Sequence, residues 1–193
     1  MKPLTGAGGK PRLGVRQPRP PSPATMNTPS SKTLLIVYQS TTGATRQMAD
    51  AVAQGAIEEG GVRVRLLPAS DAGPADVLDA DAYVFATPEN LAAIAGLMKD
   101  FFDRCYYPAL DRVNGRPYAS LICAGSDGSN AARQIARIAT GWRLREVAPP
   151  LIVCTRAQTP EEILAPKHVP AAELQKGAEL GAALAAGVAM GAF

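Results

Sequence analysis

The stretch Thr33-Leu34-Leu35-Ile36-Val37-Tyr38-Gln39-Ser40-Thr41-Thr42-Gly43-Ala44-Thr45 decides the fold. Its first six residues form a continuous β-branched and aliphatic run bounded by polar residues, which suits a short strand covered on both faces in the middle of a parallel sheet. Gln39 to Thr45 then hold four hydroxyls, one glycine and no charge. Hydroxyls and successive backbone amides at a helix N-terminus donate hydrogen bonds to a dianion, and a glycine lets the backbone come close. Ser40, Thr41, Thr42, Gly43, Ala44 and Thr45 therefore read as a phosphate cradle. A Ser/Thr cluster also caps helices with no ligand present; its position directly after a buried strand favours phosphate. Neither a Walker A loop nor a G-x-G-x-x-G fingerprint occurs here.

Working outward, Thr45 to Glu59 place Met48, Val52, Ala56 and Ala49, Ala53, Ile57 in two neighbouring i, i+4 rows, one face of a helix that Gly60-Gly61 ends. Val62 to Leu67 alternate valine and arginine before Leu-Leu-Pro, as an edge strand does. An acidic connection follows. Ala82 to Ala86 read as a second buried strand, expected to stop at Thr87-Pro88 because proline lacks an amide hydrogen. Ile94, Leu97, Met98, Phe101, Phe102 and Cys105 recur at helical spacing. After the turn Asn114 to Pro117, the run Tyr118 to Cys123 is another strand, followed by a loop of small residues, Ala124 to Asn130. A helix opens there with Ala132, Ile135, Ala136 and Ala139 facing inward and Gly141 as its stop. Leu144–Val147 and Leu151–Val153, split by Pro149-Pro150, supply the last strand in one piece or two. Ala171 to Met190 is an Ala- and Leu-rich helix expected to pack on the sheet, its apolar run too short to cross a bilayer.

Strands alternating with helices call for an α/β fold, a three-layer αβα sandwich around a five-stranded parallel sheet. Ligands in such sheets sit beyond the carboxyl ends of the strands, where strand order reverses. The site is thus expected in the loops that start at Gln39, Thr87 and Ala124.

Composition bounds the rest. Residues 1–32 hold seven of the 17 prolines, six Lys or Arg and no acid, and read as a disordered tail ahead of a domain over residues 33–193. Met26, just before the first strand, is a candidate alternative start, with an organelle-targeting role the weaker reading. The body carries 14 basic and 17 acidic side chains, so no basic face points to nucleic acid. Cys105, Cys123 and Cys154 are far apart, each beside an apolar run, and read as small core residues in a reducing cytoplasm. His168 is the single histidine, which argues against a zinc site or a Ser-His-Asp hydrolase.

Ser-Thr-Thr-Gly-Ala-Thr after the first strand, Ala-Thr-Pro-Glu-Asn leading into Met-Lys-Asp-Phe-Phe-Asp-Arg, and Gly-Ser-Asp-Gly-Ser after the fourth strand resemble the flavodoxin family. The likeness spans about residues 33–190 and is nearest in kind to the FMN-dependent NAD(P)H:quinone oxidoreductase-like branch. It implies a flavodoxin-like fold with FMN as cofactor and NAD(P)H as electron donor. By position, Ser40 to Thr45 would hold the FMN phosphate, Thr87, Pro88, Glu89 and Asn90 would flank the isoalloxazine ring, and Ala124, Gly125, Ser126, Asp127, Gly128 and Ser129 would close over its other side. The branch commonly has an aromatic and a glycine after the second-loop proline, where this chain has Leu91 to Gly96.

Two readings of function follow. One is an oxidoreductase passing hydride or electrons from NAD(P)H to a quinone or similar small-molecule acceptor; the other is a non-catalytic electron carrier or flavin-binding module. Neither ring loop offers an aromatic side chain to stack on the flavin, and an open ring face suits hydride transfer. A body of about −3 gives little of the acidic face with which carriers find redox partners. A receiver domain of the same topology would need clustered acids after the first strand, where Gln39-Ser40 stand. Glu89 is read as a flavin-edge contact or a solvated loop carboxylate, and Asp127 as a contact or a turn residue. Arg133, Arg137, Arg143 and Arg145 are read as attracting NADPH phosphates or, for the two on the outward face of a helix, as solvated charges. The sequence leaves the catalytic residues and the oligomeric state open, a homo-oligomer included.

Overall fold

The computed structural model describes residues 32–193, so the expectations for the tail and for Met26 lie outside the described residues. The decisive stretch forms β1 (Thr33–Tyr38), every residue of it buried, and opens α1 (Ala44–Glu59). β2 (Arg63–Pro68) pairs with one side of β1 and β3 (Ala82–Asn90) with the other, both parallel. β5 (Pro117–Ala124) then pairs with β3, also parallel. The last position is split between β6 (Arg145–Glu146) and β7 (Leu151–Cys154), both parallel to β5 on its outer edge and separated at Pro149-Pro150. The order of the five positions is that of a flavodoxin-like sheet, and chain direction across it reverses between β1 and β3.

The two faces of the sheet are packed by different means. On one, Phe85 sits at the centre of an aromatic cluster, edge-on to Phe102 at 4.9 Å and to Trp142 at 6.2 Å between ring centroids. Helices α2 (Pro74–Asp79), α3 (Gly96–Ala109) and α4 (Ser129–Gly141) cover it with Val77, Phe101 and Ile135 among others. On the other face α1 and α6 (Ala171–Met190) meet through small residues. A Cβ on Gly181 would fall 1.9 Å from the carbonyl oxygen of Val52, and one on Gly55 2.0 Å from that of Ala178, so only glycine permits this approach. The C-terminal helix therefore packs chiefly on α1, with Leu184, Ala185 and Val188 reaching the core cluster.

Four expectations are corrected. The third strand does not stop at Thr87-Pro88; it runs to Asn90 and turns back into β4 (Ala93–Ile94). Pairing with β1 ends at Ala86, so beyond it one edge of β3 has no neighbour and the missing amide of Pro88 breaks no bond on that side. Ile94 accordingly belongs to β4, and Leu97 is 49% exposed; the helical spacing ran by chance across a turn, and Met98, Phe101, Phe102 and Cys105 carry the buried face of α3. Cys154, at the carboxyl end of an edge strand, is exposed, whereas Cys105 and Cys123 are buried. Glu89 is not a free loop carboxylate, for reasons given below. The acidic connection contains α2, too short for periodicity to reveal, whose Asp76 accepts from the amide of Gly73 at 2.8 Å. Among the described residues no helix is long and apolar enough to cross a membrane.

Candidate functional site

A cleft of about 460 Å³, open to solvent, lies at the carboxyl ends of β1, β3 and β5, on the side where strand order reverses. Its first wall is the loop after β1. Gly43 holds φ 95°, a left-handed conformation that a side chain would strain, and this turns the chain into α1. The Ser40 hydroxyl accepts from the amides of Gly43 and Arg46, both at 3.2 Å, and so caps the helix from outside it. The amides of Thr41, Thr42, Ala44 and Thr45 have no acceptor among the described residues. Unpartnered amides at a helix N-terminus, joined by the hydroxyls of Thr41 and Thr42, form a donor set with nothing to repel an anion. That set fits a phosphate monoester, the end group of FMN.

The second wall is the hairpin of β3 and β4. Thr87 is fully buried, and its hydroxyl donates to the carbonyl of Pro88 at 3.0 Å and accepts from the amide of Ala95 at 3.2 Å. The carboxylate of Glu89 accepts from the amides of Gly128 at 3.2 Å and Ala131 at 2.8 Å, which seats it on the N-terminus of α4. Asn130 donates to the carbonyl of Ala92, and the amide of Ile94 donates to Gln134 at 3.1 Å. Strand and helix are thereby joined along the length of the hairpin.

The third wall includes Ala124, Gly125, Thr155 and Ala157, with the amide of Thr155 bonded to the carbonyl of Ala124 at 2.8 Å. Beyond it α5 (Pro160–Leu164) and the segment to Val169 return the chain to α1. This return is tied to the first loop: the amide of Lys167 donates to the carbonyl of Thr42 at 2.7 Å. Gln47 donates to the carbonyls of Gly43 and Lys167 and accepts from the amide of Val169.

Of the residues expected from sequence, Ser40, Thr41, Thr42, Ala44, Thr45, Pro88, Glu89, Asn90, Ala124 and Gly125 line this one cleft. Gly43 shapes the first loop, and Thr87 lies beneath the hairpin, behind the lining. Ser126, Asp127, Gly128 and Ser129 stand at the start of α4, outside the lining, where Ser129 donates to the Asp127 carboxylate at 2.6 Å. Sequence reasoning missed Cys123, Thr155, Ala157, Ile163 and Lys167, which also line the cleft. One signal pointed to the last two: Thr159-Pro160-Glu161-Glu162 is a capping box, with Glu162 donating its amide to the Thr159 hydroxyl at 3.2 Å, and it announces a helix. Two amide hydrogen bonds, from Gln158 and Thr159, also hold the Glu162 carboxyl below its usual range.

Cys123 forms part of the floor. Burial pushes its thiol up to about 11 although a hydrogen bond with Thr45 pulls the other way, so it stays protonated at neutral pH and is a poor nucleophile. Among the described residues no Phe, Tyr or Trp lines the cleft. Among the described residues no group of three or more His, Cys, Asp or Glu is placed to hold a metal ion.

Comparison with known proteins agrees with this geometry. Residues 32–154 match the family described as NADPH-dependent FMN reductase. A flavodoxin of Aquifex aeolicus (strain VF5) is 33% identical over 95 residues, 49% of this chain and 51% of that one. An NAD(P)H dehydrogenase (quinone) of Geotalea uraniireducens (strain Rf4) is 33% identical over 94 residues, 36% of this chain and 46% of that one. The chain thus spans about half the length of these curated relatives. Among solved structures, a flavodoxin from the domain Archaea superposes with a TM-score of 0.65 at 20% identity, covering 81% of this chain and 98% of that one. A flavodoxin, WrbA-like protein from Agrobacterium tumefaciens gives 0.63 at 19%, covering 83% and 99%. These likenesses establish the flavodoxin-like fold, and the family match spans well over half of the residues. A strand, a hydroxyl-rich loop and a helix N-terminus with free amides are what an FMN-binding protein of this fold requires, and the chain belongs to the NADPH-dependent FMN reductase family.

Proposed function

We propose that the cleft holds FMN and that the protein passes hydride from NAD(P)H to a quinone or similar small acceptor. The flavin, when bound, supplies the redox chemistry by taking up and releasing electrons. The residues supply position. Ser40 to Thr45 donate to the phosphate, Pro88, Glu89 and Asn90 form the wall on one side of the ring, and Ala124 and Gly125 present backbone on the other. Thr87 and Gly128 act from behind, the first by holding the hairpin and the second by anchoring Glu89; Ser126, Asp127 and Ser129 shape the turn into α4.

The observation that carries this reading is the absence of any aromatic side chain from the cleft lining. A donor and an acceptor each need to lie flat against the reacting ring, at roughly 3–3.5 Å, and nothing in the lining competes for that place. One shared position forces the oxidised nucleotide to leave before the acceptor enters. The visible spectrum of the purified protein and identification of the extracted flavin test the cofactor. NADPH oxidation followed at several fixed quinone concentrations then tests the reaction, with parallel double-reciprocal lines expected. Intersecting lines would show two separate sites, and no turnover with NADH or NADPH would make the protein an electron carrier.

A further inference from the structure

We propose that Lys167 supplies the positive charge that meets the phosphate of the bound flavin, and so sets the preference for the phosphorylated cofactor over riboflavin. The inference rests on the reading that this cleft takes FMN, and adds a residue far from the loop that the sequence marks.

Charge in the cleft is polarised. Among the described residues that line it, Glu89 is the one acid and Lys167 the one base. They belong to different walls: Glu89 is held by α4, and the backbone of Lys167 is bonded to Thr42 in the first loop. A phosphate monoester carries close to two negative charges at neutral pH. It is drawn to the Lys167 wall and repelled from the Glu89 wall, which orients the cofactor along the cleft.

The ammonium of Lys167 is held in place without being neutralised. It donates to the carbonyls of Glu162, Ile163 at 2.9 Å and Ala165 at 2.7 Å, all of them uncharged acceptors at the end of α5. Among the described residues it forms no ion pair with a carboxylate. All three N–H groups are thus engaged, and the Glu162 carboxylate is near enough to feel the charge, so meeting a phosphate means exchanging one neutral carbonyl for a charged acceptor, the stronger of the two bonds. Arg46, one residue after the first loop, shows the contrast. Its guanidinium bonds both oxygens of Asp50 at 2.8 Å, lies 5.0 Å from the centre of the Tyr38 ring, and is absent from the cleft lining. The arginine that stands nearest in sequence is thus cancelled, and the lysine 120 positions beyond Gln47 is not.

Gln47 registers the two parts. Its amide nitrogen donates to Gly43 at 3.1 Å and to the carbonyl of Lys167 at 2.7 Å, and its oxygen accepts from Val169 at 3.1 Å. The segment has no core of its own: none of the α5 residues is buried, and Leu164 is 74% exposed. Lys167 therefore has a structural duty as well, and the experiment must separate the two roles.

Flavin fluorescence quenching, titrated with the full-length apoprotein, gives affinities for FMN and for riboflavin, which lacks the phosphate. Lys167→Met removes the charge and the donors; Lys167→Gln removes the charge but keeps an N–H donor for the carbonyls, and serves if the first variant folds poorly. Both are expected to bind FMN about 10- to 100-fold more weakly, the range of one charge-assisted hydrogen bond, with riboflavin affinity changed less than about threefold. Lys167→Arg is expected to restore FMN binding, and the salt dependence of FMN affinity is expected to flatten in the uncharged variants. An equal loss for both flavins would assign Lys167 to holding the segment alone. Unchanged FMN affinity would show that the ammonium does not meet the phosphate. Wild-type protein that binds neither flavin overturns the cleft assignment, and with it this proposal.

Discussion

The loop Ser40–Thr45 and the hairpin Thr87–Ala95 border the same cleft and are built in opposite ways. In the first, one hydroxyl, Ser40, and one glycine, Gly43, set the conformation through bonds spanning three and six residues, and four amides are left without partners. In the second, polar groups are consumed. Thr87, Glu89 and the amides of Ile94 and Ala95 are all engaged, mostly with α4 some 40 residues away. A loop that keeps its donors free is a binding surface, and one that spends them on its neighbours is a wall.

The largest effect expected from this difference is at the first loop. Thr42→Asp places a carboxylate among the free amides, where it occupies their field and repels a dianion. FMN affinity should fall at least about 100-fold, equivalent to about 2.7 kcal/mol, with little change in melting temperature. Retained FMN affinity in a calorimetric titration would remove the cradle from the first loop. Glu89→Ala tests the wall. It strips the acceptor from the amides of Gly128 and Ala131 and detaches the hairpin from α4, so it should cost about 1–3 kcal/mol of folding stability by urea denaturation. FMN affinity should fall only severalfold, and a loss as large as that of Thr42→Asp would mean that both loops bind the anion directly.

The same difference explains what could be read from sequence. The first loop was legible because its determinants are consecutive: a buried run, then hydroxyls and a glycine before an amphipathic helix. Pro88 pointed to a strand end, and only the register, with β1 ending at Tyr38 opposite Ala86, shows why it is tolerated. Glu89 was ambiguous because its partners lie on another element. For Lys167 the capping box at Thr159 announced only a helix nearby, since a lone lysine becomes part of a site only when Gln47 and Thr42 bring it there. A parallel sheet with β1 in its middle followed from alternating strands and helices, whereas the order of the strands and the split of the last one into β6 and β7 needed the pairing.

Cys123, on the floor between the two loops, gives a smaller effect with a definite sign. Burial raises its thiol to about 11, and that of Cys105 likewise, so folding keeps both protonated. Their contribution to stability is fully present below the unfolded value of 9.0 and is lost as pH rises toward 11, where the unfolded chain has already released protons that the fold retains. Melting temperature should therefore decline across that window. At pH 7.5 iodoacetamide should modify Cys154, which is exposed, and leave the two buried thiols untouched, giving one adduct by mass spectrometry. Labelling of Cys123 at that pH would show that the floor opens to solvent.

The smallest effect concerns the tip of the hairpin. Asn90 pairs with Ala93 across a two-residue turn whose central residues, Leu91 and Ala92, have φ of 50° and 58°. That is the turn for which Asn-Gly is the preferred sequence, because both positions are left-handed. An ordinary side chain there costs about 1–2 kcal/mol, and Leu91 regains nothing by packing, since it is fully exposed. The hairpin persists because Glu89, Asn130 and Gln134 bind it to α4, not because its turn favours it. The double variant Leu91→Asn, Ala92→Gly should relieve the strain while keeping the Ala92 carbonyl for Asn130. We expect a gain of about 1 kcal/mol, a rise of about 2–4 °C in melting temperature, with FMN affinity unchanged within about twofold. Combined with Glu89→Ala, the new turn should recover part of the stability lost, because a locally favoured hairpin depends less on its ties to the helix. If the double variant is less stable than the wild type, Leu91 has contacts beyond the turn, and the contrast between a self-built loop and a tethered wall does not hold at this end of the cleft.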